Sequence, residues 1–324
     1  MGIPPKPCGR LAPPESRTVS IHPPTVAEAL AALGIASSAA APGAPPTPAA
    51  HAAPFSNTKP RDYVKPAWFP RLELAARSGR GAALFGPAGT GKTSAIHALA
   101  HEHGASLITT QAFRGFSIDD LVGSIGLKDG ATIFTPGPLA QALACDGWLL
   151  IEEANAAHPA TLSKLNTLID DSGDSCRLPD GSALQPGPGF RVFLCYNPGY
   201  AGMQEPNASL TDRLSPIYVD YLPPDQEAQI LANRGHDPDT CKAAVALGQA
   251  LRAARETLQW DCSPRTLAAL LAAQTLDPQP TFAQAFEWVV LDRIGDPATR
   301  GPQRDLARSI GSTCVVPGFA ATAV

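Results

Sequence analysis

Eight residues, Gly86-Pro-Ala-Gly-Thr-Gly-Lys-Thr93, constrain this 324-residue chain more than any other feature. They fit G-x-x-x-x-G-K-[ST] at every fixed position. They also follow a short apolar run, Ala82-Ala-Leu-Phe85, and open a helical stretch from Lys92 to about His103, which is where such a loop has to stand. Glycines at 86, 89 and 91 let the main chain wrap a row of phosphates. The amides that follow present N–H groups at a helix N-terminus, where the dipole favours an anion. The expected cradle is Gly86, Pro87, Ala88, Gly89, Thr90, Gly91, Lys92, Thr93 and Ser94. Lys92 is expected to neutralise the β- and γ-phosphates of a nucleotide, and the Thr93 hydroxyl to ligate Mg²⁺.

Further strands alternate with helical stretches. Ser106-Leu-Ile-Thr-Thr110 reads as a second strand, Trp148-Leu-Leu-Ile151 as a third, Phe190 to Tyr196 as a fourth and Pro216 to Tyr221 as a fifth. That order predicts an α/β fold, a parallel five-stranded sheet covered on both faces. The third strand runs straight into Glu152-Glu153. Beside a phosphate loop, the first acid stands near the metal and the second can act as general base toward water. Asn197, in Tyr196-Asn-Pro-Gly-Tyr200, ends the fourth strand. Its amide suits the water or the γ-phosphate, although an Asn before Pro-Gly is more often a turn residue. Arg213 precedes the fifth strand, where an isolated Arg is usually a surface ion pair. In Ser263-Pro-Arg-Thr266, Ser263 reads as an N-cap and Pro264 as the first helical residue. Arg265 then lies in a first turn, where the dipole opposes it and an anion would compensate.

Composition separates the ends from this middle. The first sixty residues hold 13 of the 34 prolines, and Ser37 to Pro54 is almost wholly Ala, Pro, Ser, Gly and Thr. Such a segment buries too little apolar area to offset its ordering entropy, so 1–60 is expected to be a disordered Pro/Ala-rich leader. Thr25–Leu33 has a short amphipathic helical pattern, read either as a helix that docks on a neighbour or as a transient helix in a disordered tail. Residues 61–222 form the expected nucleotide domain and 223–294, Ala/Leu-rich and helical, a small lid. A tail from 295 to 324 mixes Pro, Gly and Arg with no readable pattern. A net charge of −4 argues against bulk binding of nucleic acid. The seven cysteines have no CxxC spacing and read as reduced thiols. No segment is apolar enough to span a bilayer, and the start shows no secretory leader. The expected location is therefore cytoplasmic, with no membrane partner.

The order of these motifs resembles an AAA+ ATPase, and more narrowly the MoxR-type group that includes the CbbQ, NirQ, NorQ and gas-vesicle N proteins. The resemblance covers about residues 61 to 290. It is most specific in Phe134-Thr-Pro-Gly-Pro-Leu139, Trp148-Leu-Leu-Ile-Glu-Glu-Ala-Asn155, Tyr196-Asn-Pro-Gly-Tyr200 and Asp212-Arg-Leu214. It implies a P-loop NTPase core using ATP and Mg²⁺, with Glu152 as the Walker B metal acid and Glu153 as the catalytic acid. Asn197 would be sensor 1, Arg265 sensor 2, and Arg213 a finger reaching a neighbouring subunit's nucleotide. It further implies a ring of identical subunits, commonly a hexamer, acting on a protein client. A von Willebrand factor A domain protein is the leading partner class. Phe113 to Gly130 resembles the region of a pore-facing insert, and residues 173–190 resemble a pre-sensor hairpin. Asp180-Gly181 supports that hairpin independently. Two positions depart from the group: Glu152 stands where most relatives have Asp, and Ala156 where many have Arg.

The leading expectation is an ATP-hydrolysing remodelling machine, chaperone-like in action. Because Glu152 is one methylene longer than Asp, a nucleotide-gated assembly scaffold with slow or no hydrolysis is the alternative. A DNA-associated motor is a third reading, opposed by the acidic charge balance.

Overall fold

The computed structural model describes residues 63–128, 130–169, 174–199 and 203–321. The leader and the helix expected at 25–33 lie outside the described residues. Helix α1 (Phe69–Arg77), with Pro70 in its first turn, leads into β1 (Ala82–Phe85) and α2 (Lys92–His103). α2 stops where Gly104 turns left-handed (φ 62°) and its N–H caps the Ala100 and His101 carbonyls. β2 (Leu107–Gln111) follows, then α3 (Ile118–Val122), opened by a reciprocal Ser117–Asp120 capping box. β3 (Gly123–Lys128) and β4 (Ala131–Pro136) form a separate two-stranded ribbon. α4 (Pro138–Ala144), β5 (Trp148–Glu152), α5 (Pro159–Leu162) and α6 (Asn166–Ile169) come next. A second small ribbon pairs β6 (Cys176–Arg177) with β7 (Ala183–Leu184) around Asp180 and Gly181. The Asp180 carboxylate accepts from Ser182 N there, and Gly181 takes φ 86°. β8 (Arg191–Tyr196), α7 (Ala208–Arg213) and β9 (Ser215–Tyr218) complete the first layer set.

The five long strands pair in parallel in the order β2-β5-β8-β1-β9. Their side chains alternate between two cores, as a sheet buried on both faces requires. Ala82, Leu84, Leu107, Trp148, Leu150, Phe193 and Ile217 face α1 and α2 with Phe69, Leu72, Ile96 and Leu99. Ala83, Ile108, Leu149, Ile151, Val192 and Leu194 face the other way, against Leu139, Leu143, Leu162 and Leu165. The acid strand β5 is not the direct neighbour of the phosphate-loop strand, because β8 lies between them. The residue after β8 therefore stands between loop and acids.

Residues 224–321 build a separate helical core. α8 (Pro224–Ala232), α9 (Pro238–Ala253), α10 (Arg255–Leu258), α11 (Pro264–Ala272) and α12 (Phe282–Phe286) bury Leu231, Val245, Leu251, Leu267, Leu270 and Phe286 together. A π-helical stretch, Glu287–Leu291, continues into α13 (Asp292–Ile294). The segment set aside above as a patternless tail carries α14 (Pro297–Thr313), whose Ala307 lies in this same core. Gly301, Pro302 and Gly311 hid it, and the backbone does kink at Arg300 (φ −122°, ψ 23°). Arg304, 3% exposed, fastens α14 by donating to the Leu291 and Gly295 carbonyls, both at 2.8 Å, and pairing with Glu287 and Asp292. Gly311 is required small, since a Cβ there would stand 2.9 Å from the Phe286 ring. Among the described residues no helix is long and apolar enough to cross a membrane.

Sheet closure makes a direct test. A Cβ on Gly81 would lie 1.6 Å from the Val192 carbonyl oxygen, main chain that cannot give way, whereas one on Gly79 (φ 82°) meets nothing within 4 Å. Gly81→Ala is expected to cost about 3 kcal/mol or more, and Gly79→Ala about 1–2 kcal/mol from its left-handed backbone alone, read by urea unfolding. Equal costs would contradict the packing described.

Candidate nucleotide site

A cavity of about 330 Å³ opens at the carboxyl ends of β1, β5 and β8, where open parallel sheets place their ligands. Residues 88–94 line one side of it, Glu152, Glu153 and Asn197 the next, and Pro264 and Arg265 of α11 close it from the helical domain. Phe85 sits between Tyr196 and Tyr218 at the strand ends, with ring centroids 5.7 and 5.6 Å apart.

The loop leaves β1 at Gly86, whose φ of 151° only glycine adopts freely. A Cβ there would stand 2.0 Å from the Val219 carbonyl oxygen. Gly91, the N-cap of α2 with φ 85°, has no side-chain cap, and a Cβ on it would meet nothing within 4 Å. No side chain caps the first turn of α2, and Lys92, Thr93 and Ser94 line the cavity, so this helix start favours an anion there.

Lys92 reaches back under this loop. It is 8% exposed, and its ammonium donates to Gly86 O at 3.0 Å, Pro87 O at 2.7 Å and Asn197 Oδ1 at 2.7 Å. The Asn197 amide then donates through Nδ2 to both Glu153 carboxylate oxygens, at 3.2 and 3.4 Å. An ammonium only donates and a carboxylate only accepts, so one orientation of the amide satisfies both. Burial pulls the Lys92 ammonium below the ordinary lysine value. The charge of Glu153 raises it, and that of Arg265 lowers it further. Beneath it the Cys195 thiol is pushed up to about 12, first by burial, so it remains a neutral thiol.

Glu153 takes a left-handed backbone (φ 49°, ψ 39°), which turns the chain sharply after β5 into a 3₁₀ turn over Ala154–Ala156. Glu152 also lines the cavity, on the side of half-buried His97, one turn beyond Thr93. Burial lowers the His97 imidazole and the Glu152 charge raises it. Thr93 and Glu152 both line the cavity, and their oxygens are of the kind a hard divalent cation takes. Arg213 is not brought into the cavity. It ends α7, donating to Ser209 O at 2.8 Å and Ser209 Oγ at 2.7 Å. Ser263 caps α11 by accepting from Thr266 N, and the α11 start packs on the phosphate loop. A Cβ on Gly89 would lie 3.2 Å from Pro264 Cδ and 3.8 Å from Arg265 Cγ.

Sequence reasoning missed the rest of the lining. Tyr63, Val64 and Pro66 ahead of α1, Leu222 after β9, Ile230 and Leu231 of α8 and Arg234 just beyond it also line the cavity. They come from three separated segments with no local motif. Also missed was Glu227, which lines the cavity at 3% exposure and forms a fork-to-fork pair with Arg252 at 2.8 and 2.7 Å. Arg252 also donates to Cys262 O at 2.7 Å and stacks 3.8 Å over the Tyr221 ring. The Tyr221 hydroxyl donates to Asp261 at 2.8 Å, and burial, followed by that bond, holds the phenol above its usual range.

Removing one partner of a desolvated pair strands the other. Glu227→Gln is therefore expected to cost about 3 kcal/mol and lower the thermal midpoint by about 6–12 °C. Glu73→Gln, which breaks an exposed 3.6 Å pair with Arg77, is expected to move it by about 2 °C or less. Scanning calorimetry compares the two.

Comparison with known proteins agrees with this geometry. Residues 81–214 match the family model described as the AAA domain, dynein-related subfamily. The denitrification regulatory protein NirQ of Stutzerimonas stutzeri is 32% identical over 183 residues, 56% of this chain and 66% of that one. NorQ of Paracoccus denitrificans is 28% identical over 243 residues, 74% of this chain and 89% of that one. NirQ of Pseudomonas aeruginosa is 30% identical over 240 residues, 72% of this chain and 91% of that one. With a phosphate loop, an acid pair and a bridging asparagine at the carboxyl ends of neighbouring strands, and a relative 30% identical over 91% of its own length, this chain belongs to the MoxR-type AAA+ ATPases, a family of nucleotide-hydrolysing enzymes.

Proposed function

We propose that this chain binds ATP with Mg²⁺, hydrolyses it at the boundary between identical subunits of a ring, and uses the cycle to remodel or activate a protein client. The chain of hydrogen bonds from Lys92 through Asn197 to Glu153 carries the reading. It joins the group that meets the phosphates to the group that accepts a proton from water. Thr93 and Glu152 are the residues to hold Mg²⁺, which when bound supplies charge neutralisation at the phosphate oxygens. Lys92 adds a fixed positive charge that pays no solvent reorganisation, because it is already desolvated and held by three oxygens. Glu153 orients a water and takes its proton, and Asn197 fixes that carboxylate by two bonds. Arg265 meets the phosphates from the helical side, so a change in their charge alters what holds that domain down.

Arg213, outside the cavity of its own chain, is assigned to the nucleotide of a neighbouring protomer, which calls for an adjacent copy, and the family resemblance implies a ring, commonly a hexamer. The proposed division is a nucleotide domain over 61–222 and a lid over 223–294, with α14 packed onto the lid. Two relatives are named denitrification regulatory proteins, and a regulatory role of that kind is proposed here with the protein client. A von Willebrand factor A domain protein remains the leading class of partner, and a cytoplasmic location is proposed with it. Glu152 supports a second reading, a nucleotide-gated scaffold that assembles with little turnover.

Turnover and sedimentation separate the readings. Expected are ATP hydrolysis by the wild-type chain, a loss of about 10²–10⁴-fold in Glu153→Gln and loss of ATP uptake in Lys92→Ala. Glu152→Asp is expected to raise kcat while leaving ATP affinity unchanged. ATP-dependent assembly with turnover no higher than that of Glu153→Gln would favour the scaffold. Wild-type turnover equal to that of Glu153→Gln without assembly would overturn both.

A further inference from the structure

Asn155 has no part in the chemistry above, yet it is 2% exposed and sits immediately behind the acid turn. The left-handed Glu153 and the Ala156 N–H, which donates to Glu153 O at 2.7 Å, fold residues 153–156 so that Asn155 faces the end of β8. Its Nδ2 donates to the main-chain oxygen of Asn197 at 2.8 Å. Its own main-chain oxygen accepts from Gln204 N at 2.9 Å.

These two bonds take hold of the chain at two places with different destinations. Asn197 carries the amide between Lys92 and Glu153 of its own site. Gln204 starts the short run through Pro206 to Asn207, whose side chain caps α7 by accepting from Leu210 N at 2.8 Å, and α7 ends in Arg213. A surface turn would satisfy an asparagine with water. This one is enclosed, and its Oδ1 has no partner among the described residues. A buried polar group left half-satisfied calls for an explanation, and the bond made by its other half supplies one.

We infer that Asn155 is a positioning residue that anchors both the Asn197 of its own site and the segment that sets Arg213 for the neighbouring site. The inference rests on the proposed roles of Glu153, Asn197 and Arg213. The two arms can be cut separately. Asn155→Ala removes the bond to Asn197 and keeps the main-chain carbonyl, whereas Gln204→Pro removes the N–H that meets that carbonyl and keeps the bond to Asn197.

The test measures ATP affinity and kcat of each full-length variant, alone and in equal mixtures with Glu153→Gln, which lacks own-site chemistry, or Arg213→Ala, which lacks the neighbour-directed group. Asn155→Ala is expected to bind ATP within about threefold of wild type and to turn it over about tenfold more slowly. Mixing with Arg213→Ala should restore turnover to the level of the Glu153→Gln plus Arg213→Ala mixture, and mixing with Glu153→Gln should not. Gln204→Pro should show the reverse pattern. Wild-type kcat in Asn155→Ala, loss of ATP binding in either variant, or one complementation pattern shared by both would overturn the inference. If the Glu153→Gln plus Arg213→Ala mixture shows no recovery, the neighbour-directed role of Arg213 falls and the Gln204 arm with it. The kcat of Asn155→Ala then still decides the Asn197 arm. A wild-type chain without turnover removes the reading and the inference together.

Discussion

A lysine ammonium held under a loop by three oxygens is the interaction on which this site depends. Lys92 has lost most of its water, and burial alone would favour its neutral form. Two main-chain carbonyls and the Asn197 amide replace that water, and the carbonyls are available only because the loop curls back over its own helix. The curl in turn needs Gly86 where Val219 O leaves no room for a Cβ, and Gly91 where the backbone turns left-handed. One charge thus fixes the loop, and the loop fixes the direction of the amides that follow.

The helical domain meets this arrangement at two places of different character. The start of α11 brings the Ser263 and Pro264 side chains against Gly89, so Arg265 is delivered to the cavity wall. Farther in, Glu227, Arg252, Tyr221 and Asp261 form a buried polar cluster that bridges the connection after β9 and the helices α8 and α9. A buried ion pair of this kind contributes little net stability against an apolar equivalent, but it penalises any arrangement that separates its members. It is therefore suited to hold the connection in a defined geometry, and with it the angle between the helical domain and the sheet.

Much of this was legible in the sequence wherever chemistry and local structure coincide. The phosphate loop announced β1 and α2, with Lys92–His103 falling on the expected residues. Apolar runs without alternation announced strands buried on both faces, and Asp180-Gly181 announced the β6–β7 turn. The place of β8 between β1 and β5 was not legible, because strand order is a property of crossovers and not of any one segment. Neither was α14, where Gly301 and Pro302 break the helical pattern while Arg304 and Ala307 supply the packing. Asn155 carried a family likeness in its motif, but its two bonds run to Asn197 and Gln204, more than forty residues away. The cavity lining also draws on Tyr63, Leu222 and Ile230, which share no spacing at all.

Calorimetric titration of the full-length chain with ATP at millimolar Mg²⁺, beside Lys92→Ala, tests the account most directly. Saturable uptake at one site per chain, absent in the variant, is the result it predicts. No heat of binding to the wild-type chain, or equal binding by both, would contradict it.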